Sequence, residues 1–344
     1  MLEEHSFELK LVNAQHVTIL PGRKSDVLDA EWLAELLEHG LLRGSFVPPP
    51  VIRELRDLTR YRKRLIQTST AESQRIQKTL DDAGITLGSV AAEVLGASGR
   101  DMLAALVAGE RDPDVLADLA KGLLRKKIPE LRQALRGRFR DHHAVLIRLC
   151  LAHLAHLEGA VAELDDRIDA LFATATSEAG VPFARARDRL DTITGVGKRA
   201  AECILAEIGV DMSRFPTAAH LASWAGVCPG NNITGGKRGS GKSTHGDVWL
   251  LDILTQCAWA AARTRDTYLA AQFWRLARRI GKKKAAIAVG HSILVISWQL
   301  LSHDCDYDDL GGDYFTRRNP DRHRDRLIAQ LESLGYQVSL DKVA

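Results

Sequence analysis

The apolar and polar positions divide the chain into a short alternating segment followed by a long series of helical ones. Residues 7–12, FELKLV, alternate apolar and polar and predict a short strand. Pro21-Gly22 breaks the pattern, and a helix is predicted from about Ser25 to His39 with Gly40 as its terminator. Pro48-Pro49-Pro50 marks a boundary, and helical spacing dominates beyond it.

Ile147, Cys150, Leu154, Leu157, Val161, Leu164, Ile168 and Leu171 follow one another in alternating steps of three and four. Such a seam fits a coiled coil, and equally the inner face of an amphipathic helix in a bundle. A hairpin of long helices between residues 50 and 175 satisfies both readings. The sequence then shifts to compact helices with Gly-rich turns, placing a boundary near Gly180–Pro182. Further helices are expected over 248–262 and along the apolar run Ala285–Leu301. Gly290, His291 and Gln299 interrupt that run, which reads as a buried helix; no apolar run reads as long enough to span a bilayer. The tail predicts a helix over 321–334 and a strand-like GYQVSL.

Composition changes this picture little. The 344 residues are 26% charged and 45% hydrophobic, enough apolar mass for a core. A formal charge of only +3 excludes a global field, so local clusters matter more. Arg53, Arg56, Arg60, Arg62, Lys63 and Arg64 fall in one predicted helix, opposed only by Glu54 and Asp57. Arg275, Arg278, Arg279, Lys282, Lys283 and Lys284 form a second cluster with no acid inside it. Both suit a polyanion, and both also suit a solvated helix face. Five cysteines without a C-x-x-C pair argue against a zinc site or a disulfide framework and fit a reducing cytosol.

Three motifs bear on chemistry. Asp26 and Asp29 stand three apart in the first predicted turn, on one helical face, where two carboxylates can share a divalent cation; they also fit an N-cap and a helix-dipole acid. Leu190, Ile193, Gly195, Val196, Gly197, Ala201, Ile204 and Leu205 fit a helix-hairpin-helix. Its glycines would expose amides to a phosphate beside Lys198 and Arg199, or would simply make a packing turn. Gly236–Ser243 matches G-x-x-x-x-G-K-[ST] in full, the signature of a nucleotide-hydrolase P-loop. However, no hydrophobic strand precedes it, Gly246 interrupts the helix start, and no Walker B strand follows.

Taken together, Lys24-Ser25-Asp26-Val27-Leu28-Asp29-Ala30 and the hairpin running into Pro229–Lys237 resemble the Piv-like DEDD transposases of bacterial insertion sequences. The likeness extends over about residues 7 to 340. It implies a mainly α chain of four parts. Residues 1–49 would be the remainder of a RuvC-like (ribonuclease H-type) α/β domain, and 50–180 a helical coiled-coil arm. Residues 181–306 would be a compact helical C-terminal domain with the helix-hairpin-helix, and 307–344 a tail. Asp26 and Asp29 would be the last two acids of a Mg2+-binding DEDD set. The contexts of the first Asp and the Glu do not occur ahead of Phe7, so the chain is expected to begin partway into the catalytic domain and to bind metal weakly.

In the same resemblance Thr234 takes the place of a nucleophilic serine. Its β-methyl crowds in-line attack. Lys237, Arg238 and Lys242 would close on the DNA backbone. The implied partners are donor and target DNA, a guide (bridge) RNA, and further copies of the chain, a dimer or tetramer joined through the coiled coil. The implied location is the bacterial cytoplasm, with no membrane. The expected activity is DNA strand cleavage and rejoining through a covalent phosphoester, lost in this chain. The alternatives are a non-catalytic nucleic-acid-binding remnant and, more remotely, a P-loop nucleotide hydrolase.

Overall fold

A computed structural model describes residues 26–42, 48–177, 180–228, 233–234, 236–238 and 246–340, together with Val12. Apart from Val12, the strand expected at residues 7–12 lies outside them. The described chain is mainly α, as the spacing predicts. It divides into two compact units, residues 55–174, and residues 1–54 with 175–344. Helix α1 (Asp26–Glu38) ends at Gly40, whose φ of +66° is the left-handed conformation that makes glycine a terminator.

Two long helices frame the unit of residues 55–174. Helix α2 (Pro50–Asp82) leads into it, and α7 (Asp141–Thr174) leads out. Between them lie α3 (Leu87–Val90), α4 (Ala97–Val107), α5 (Pro113–Asp118), a 3-10 turn over Gly122–Lys127 and α6 (Ile128–Ala134). The expected hairpin of long helices is therefore present, with a packed helical tip in place of a simple turn.

The heptad seam is the inner face of α7. Ile147, Leu154, Leu157 and Ile168 are buried, and Cys150, Val161, Leu164 and Leu171 are half-buried. Ile147 and Leu154 belong to one core with Ile76 and Leu80 of α2, Met102, Leu103 and Leu106 of α4, Leu116 of α5 and Leu131 of α6. Truncating one leucine in such a core costs about 2–5 kcal/mol. Within the chain the seam is thus packed over part of its length, with four of its eight positions only half-buried. Helix α7 keeps a second apolar stripe, Val145, Leu146 and Leu149, exposed.

The middle of the α2 inner face, between buried Leu55 and Ile76, is polar where a seam is normally apolar. Thr59, Arg62 and Glu72 are buried. The Thr59 hydroxyl donates to the Leu55 carbonyl at 2.8 Å. Three cross-helix pairs then descend α2 while ascending α7: Arg62 with Asp165 at 2.8 Å, Glu72 with His153 at 2.9 Å, and Asp82 with His143 at 3.0 Å. These pairs fix an antiparallel register, since a slip of one turn would leave each group without its partner. Burial alone would push the Glu72 carboxyl up. Hydrogen bonds from His153 and the Cys150 thiol, with the charges of Arg75 and His153, outweigh that and hold it below the usual carboxylate range.

The second unit is a bundle. Its helices are α8 (Phe183–Asp191), α9 (Lys198–Ile208), α10 (Ala218–Trp224), α11 (Val248–Ala261), α12 (Tyr268–Ile280), α13 (Lys282–His303), α14 (Tyr314–Arg317) and α15 (Pro320–Ser333). Thr217, Asp247 and Thr267 cap the starts of α10, α11 and α12 by accepting from amides of the following turn. Gly290 lets α13 approach α11: a Cβ there would stand 3.2 Å from the Leu254 Cβ.

Two sequence readings need correction. By length and apolarity α7 and α13 could each cross a membrane, contrary to the reading that no run is long enough. In the bundle, α13 turns Ala285, Val289, Ile293 and Leu294 into the core. The GYQVSL segment does not form a strand. Residues 336–340 have no ladder partner among the described residues, and Tyr336 and Leu340 are exposed. Alternation makes a strand only where another strand pairs with it.

Candidate functional site

The hairpin between α8 and α9 contains two glycines with different tasks. Gly195 has φ +86°, and a Cβ on it would stand 2.5 Å from the Cys257 carbonyl oxygen and 2.6 Å from the Ala261 amide. It is therefore a packing glycine, pressed against the end of α11. Gly197 is the N-cap of α9 with φ −98° and nothing within 4 Å of a Cβ. Gly197, Lys198 and Arg199 are all exposed. The start of α9 thus faces outward between two cations, an arrangement suited to a phosphate.

A strap from the C-terminal tail holds this turn. Residues 304–313 carry five aspartates, none of which the sequence reading singled out. Asp304 pairs with Arg185 and Arg189 of α8, and Asp306 takes the Arg189 Nε at 3.2 Å. Asp309 accepts from four donors: the Tyr268 amide at 2.8 Å, the Gly311 amide at 2.8 Å, the Tyr307 hydroxyl at 2.9 Å and the Thr194 hydroxyl at 3.0 Å. Burial raises the Asp309 carboxyl, but these four donors prevail and hold it below the usual range. Asp309 thereby ties the hairpin turn, through Thr194, to the first residue of α12. The signal was available in sequence as an acidic tail loop opposite the ARARDR run of α8.

The far end of α12 carries the second basic cluster. Arg278 and Arg279 close α12, Gly281 turns the chain with φ +83°, and Lys282, Lys283 and Lys284 open α13. With Arg275 all six cations are exposed. Arg275 lies over the Phe315 ring at 4.1 Å and Lys282 over Trp274 at 5.6 Å. Three lysines in a first turn, with no acid there, oppose the helix dipole. An anion at this corner would relieve that conflict. At 1.5 Å per residue, the 13 residues of α12 separate the corner from the hairpin turn by about 20 Å.

The first basic cluster is sorted differently. Arg53 and Arg64 are exposed, and Arg56, Arg60 and Lys63 are half-buried. Arg62 is only 3% exposed and is committed to Asp165. It is a structural cation of the hairpin, which corrects its assignment to a nucleic-acid surface.

Of the residues read as catalytic, the backbone alone is described. Asp26 and Asp29 stand one turn apart at the start of α1. Thr234 ends β1 (Ile233–Thr234), which pairs with β2 (Lys237–Arg238) in an antiparallel ladder with Thr234 opposite Lys237. Gly236 makes the turn with φ +75°. Lys242 lies outside the described residues, with Ser240 and Ser243. The P-loop match starts inside this turn, and among the described residues the next helix begins at Val248. A P-loop runs from a buried strand straight into a helix, so the hydrolase reading loses its geometric support. Asp82, His142 and His143 also bring donor atoms together. However, the Arg140 amide donates to His143 Nδ1 at 3.1 Å, so Nε2 carries the proton and donates to Asp82. Both nitrogens of that ring are thus spent, one on the start of α7 and the other on the end of α2.

Parts of the chain match known protein families. Residues 187–275 match the family described as transposase, IS116/IS110/IS902 family, and residues 1–85 match the DEDD transposase domain of IS110 type. The chain is 24% identical over 306 residues to the transposase for insertion sequence element IS1111A of Coxiella burnetii, covering 87% of this chain and 72% of that one. A 58-residue stretch is 45% identical to an uncharacterized 43.6 kDa protein of insertion element IS110 from Streptomyces coelicolor, covering 17% of this chain and 13% of that protein.

Proposed function

Since the chain belongs to the IS116/IS110/IS902 family of transposases, an enzyme family, we propose that it binds insertion-sequence ends and target DNA and exchanges strands between them. The observation that carries this reading is the exposed cationic corner of Arg278, Arg279 and Lys282–Lys284, one α12 length from the outward-facing start of α9. Both features favour phosphate groups, and together they span a stretch of backbone rather than a single ion.

In this proposal Thr234 supplies the nucleophile. Its Oγ1 forms a bond to a backbone phosphorus, the bond from that phosphorus to the departing deoxyribose oxygen breaks, and the hydroxyl proton leaves to solvent. Attack of a strand-end hydroxyl on the ester reverses the step, so rejoining needs no external energy source. Lys237, the register partner of Thr234, and Lys242 would neutralise the phosphate under attack. Asp26 and Asp29 form a hard-oxygen pair of the kind that takes Mg2+. When bound, the ion supplies charge neutralisation at the phosphoryl oxygens. Donor and target DNA, a guide RNA and a homo-oligomer are the proposed partners.

The test is capture of a denaturant-stable protein–DNA adduct with a cognate insertion-sequence end, guide RNA and Mg2+. Against the expectation that this chain has lost the activity, the adduct is expected from the Thr234→Ser protein and, more slowly, from the parent, because a crowded hydroxyl slows attack without abolishing it, and is expected to vanish in Thr234→Ala. An adduct that persists in Thr234→Ala moves the nucleophile to Ser240 or Ser243. The second reading, a binding remnant, is favoured by the crowded threonine at this position. DNA binding without adduct even in Thr234→Ser would select it.

A further inference from the structure

We propose that the helical tip of the 55–174 unit is a second nucleic-acid contact, gripping the phosphate backbone of a duplex through Arg125, Lys126, Arg136, Arg138 and Arg140. The proposal rests on the reading of the chain as a nucleic-acid enzyme, but on a surface that reading does not use.

Residues 121–140 contain eight cations, Lys121, Arg125, Lys126, Lys127, Arg132, Arg136, Arg138 and Arg140, against the single acid Glu130. The structure divides them into two groups. Lys121 pairs with Asp101, Arg132 pairs with Asp114 at 2.7 Å, and the Lys127 ammonium donates to the Val90 carbonyl at 3.1 Å. These three hold the tip together. The other five are exposed, and among the described residues their side chains have no ion pair, hydrogen bond or ring partner. Two of the nearby acids are already paired, and two lie where a helix dipole favours them. Asp82 takes His143, Asp112 caps α5, and Glu130 and Asp141 sit in the first turns of α6 and α7.

The backbone beneath Arg136, Arg138 and Arg140 is fixed. The Arg138 amide donates to the Ala83 carbonyl at 2.6 Å, the Thr86 amide to the Ala134 carbonyl at 2.9 Å, and the Arg140 amide to His143. Gly137 packs so closely that a Cβ would stand 2.5 Å from the Ala83 oxygen. Only α6, seven residues or about 10 Å long, separates Arg125 and Lys126 from the other three. Five unneutralised charges held on a rigid frame repel one another unless a polyanion covers them. A duplex fits better than a single strand because the stretch offers no stacking surface. Its one Phe, Phe139, is buried beneath the Arg111 guanidinium, 4.8 Å from the ring centroid.

The experiment uses the full chain and titrates salt against affinity for a 30-base-pair DNA duplex, the equivalent RNA duplex and a single strand. Changing all five to Gln should weaken duplex binding at least tenfold and lower the log–log salt slope by two or more, because each DNA phosphate no longer neutralised removes about 0.9 from it. The corresponding Lys substitutions at the four arginines should restore the slope, because holding a phosphate needs charge rather than a particular fork. Which duplex is weakened more identifies the source of the phosphates. An unchanged duplex slope in the Gln protein overturns the proposal, as does a weakening confined to single strands. Lys282, Lys283 and Lys284→Ala is the comparator. If it alone weakens binding, the tip proposal fails and the proposed function stands; if neither variant does, both fail.

Discussion

Two stretches of positive charge look alike in the sequence and differ in the folded chain. Around residues 53–64 the cations lie on a helix whose inner face is itself polar, so Arg62 is drawn into the hairpin and spent on Asp165. Around residues 275–284 they gather at a helix–helix corner whose core positions are filled by Ala285, Ala286 and Val289, so every cation remains outside. The deciding feature is whether apolar residues occupy the inward positions, not how many charges are present. The same sorting separates Gly195, locked against α11, from the open Gly197.

Substitutions can break this contrast. The largest effect is expected from Gly195→Ala. A left-handed φ and a Cβ inside contact distance of two backbone atoms should together cost about 4 kcal/mol in urea unfolding. Gly197→Ala should stay within about 0.5 kcal/mol. Equal costs at the two positions would mean that the close approach of the turn to α11 is wrong. Next, Arg62→Ala should destabilise the hairpin by about 3 kcal/mol, because it breaks the ion pair of a buried cation with Asp165. The salt slope of DNA binding should not move. A flattened slope with unchanged stability would return Arg62 to the nucleic-acid surface. The smallest change in stability is expected from Lys282, Lys283 and Lys284→Ala. Relief of the dipole conflict should leave the melting point unchanged or slightly raised. The DNA salt slope should fall by up to about 2.7. A drop in stability with full binding would make the corner structural.

Legibility in the sequence followed the same division. Helix α7 was readable because its inward positions are apolar and keep a strict period, and the structure buries or half-buries all eight. The inner face of α2 was not, because Thr59, Arg62 and Glu72 carry no hydrophobic signal, and the two charged groups gain meaning only from partners more than eighty residues away. The short helices of the tip escaped for a different reason: at four to eleven residues each they are too brief to show a period. The hairpin turn was legible from its glycines, whereas the aspartates that hold it were not. A hydrogen-bonding carboxylate in a loop looks the same on paper as a solvated one. The P-loop match failed in the opposite direction, with a perfect string of residues and the wrong surroundings.

The strap has a consequence for synthesis. Asp304, Asp306 and Asp309 reach back 115 or more residues to Arg185, Arg189 and Thr194. At about 5–20 residues per second, a ribosome needs roughly 6 to 23 seconds to travel that distance. During that interval α8, α9 and their turn exist without the latch. The newborn chain therefore carries an unfastened hairpin until Asp309 is made. A message cut short before Asp309 would yield a protein with every helix from α8 to α13 but a loose turn.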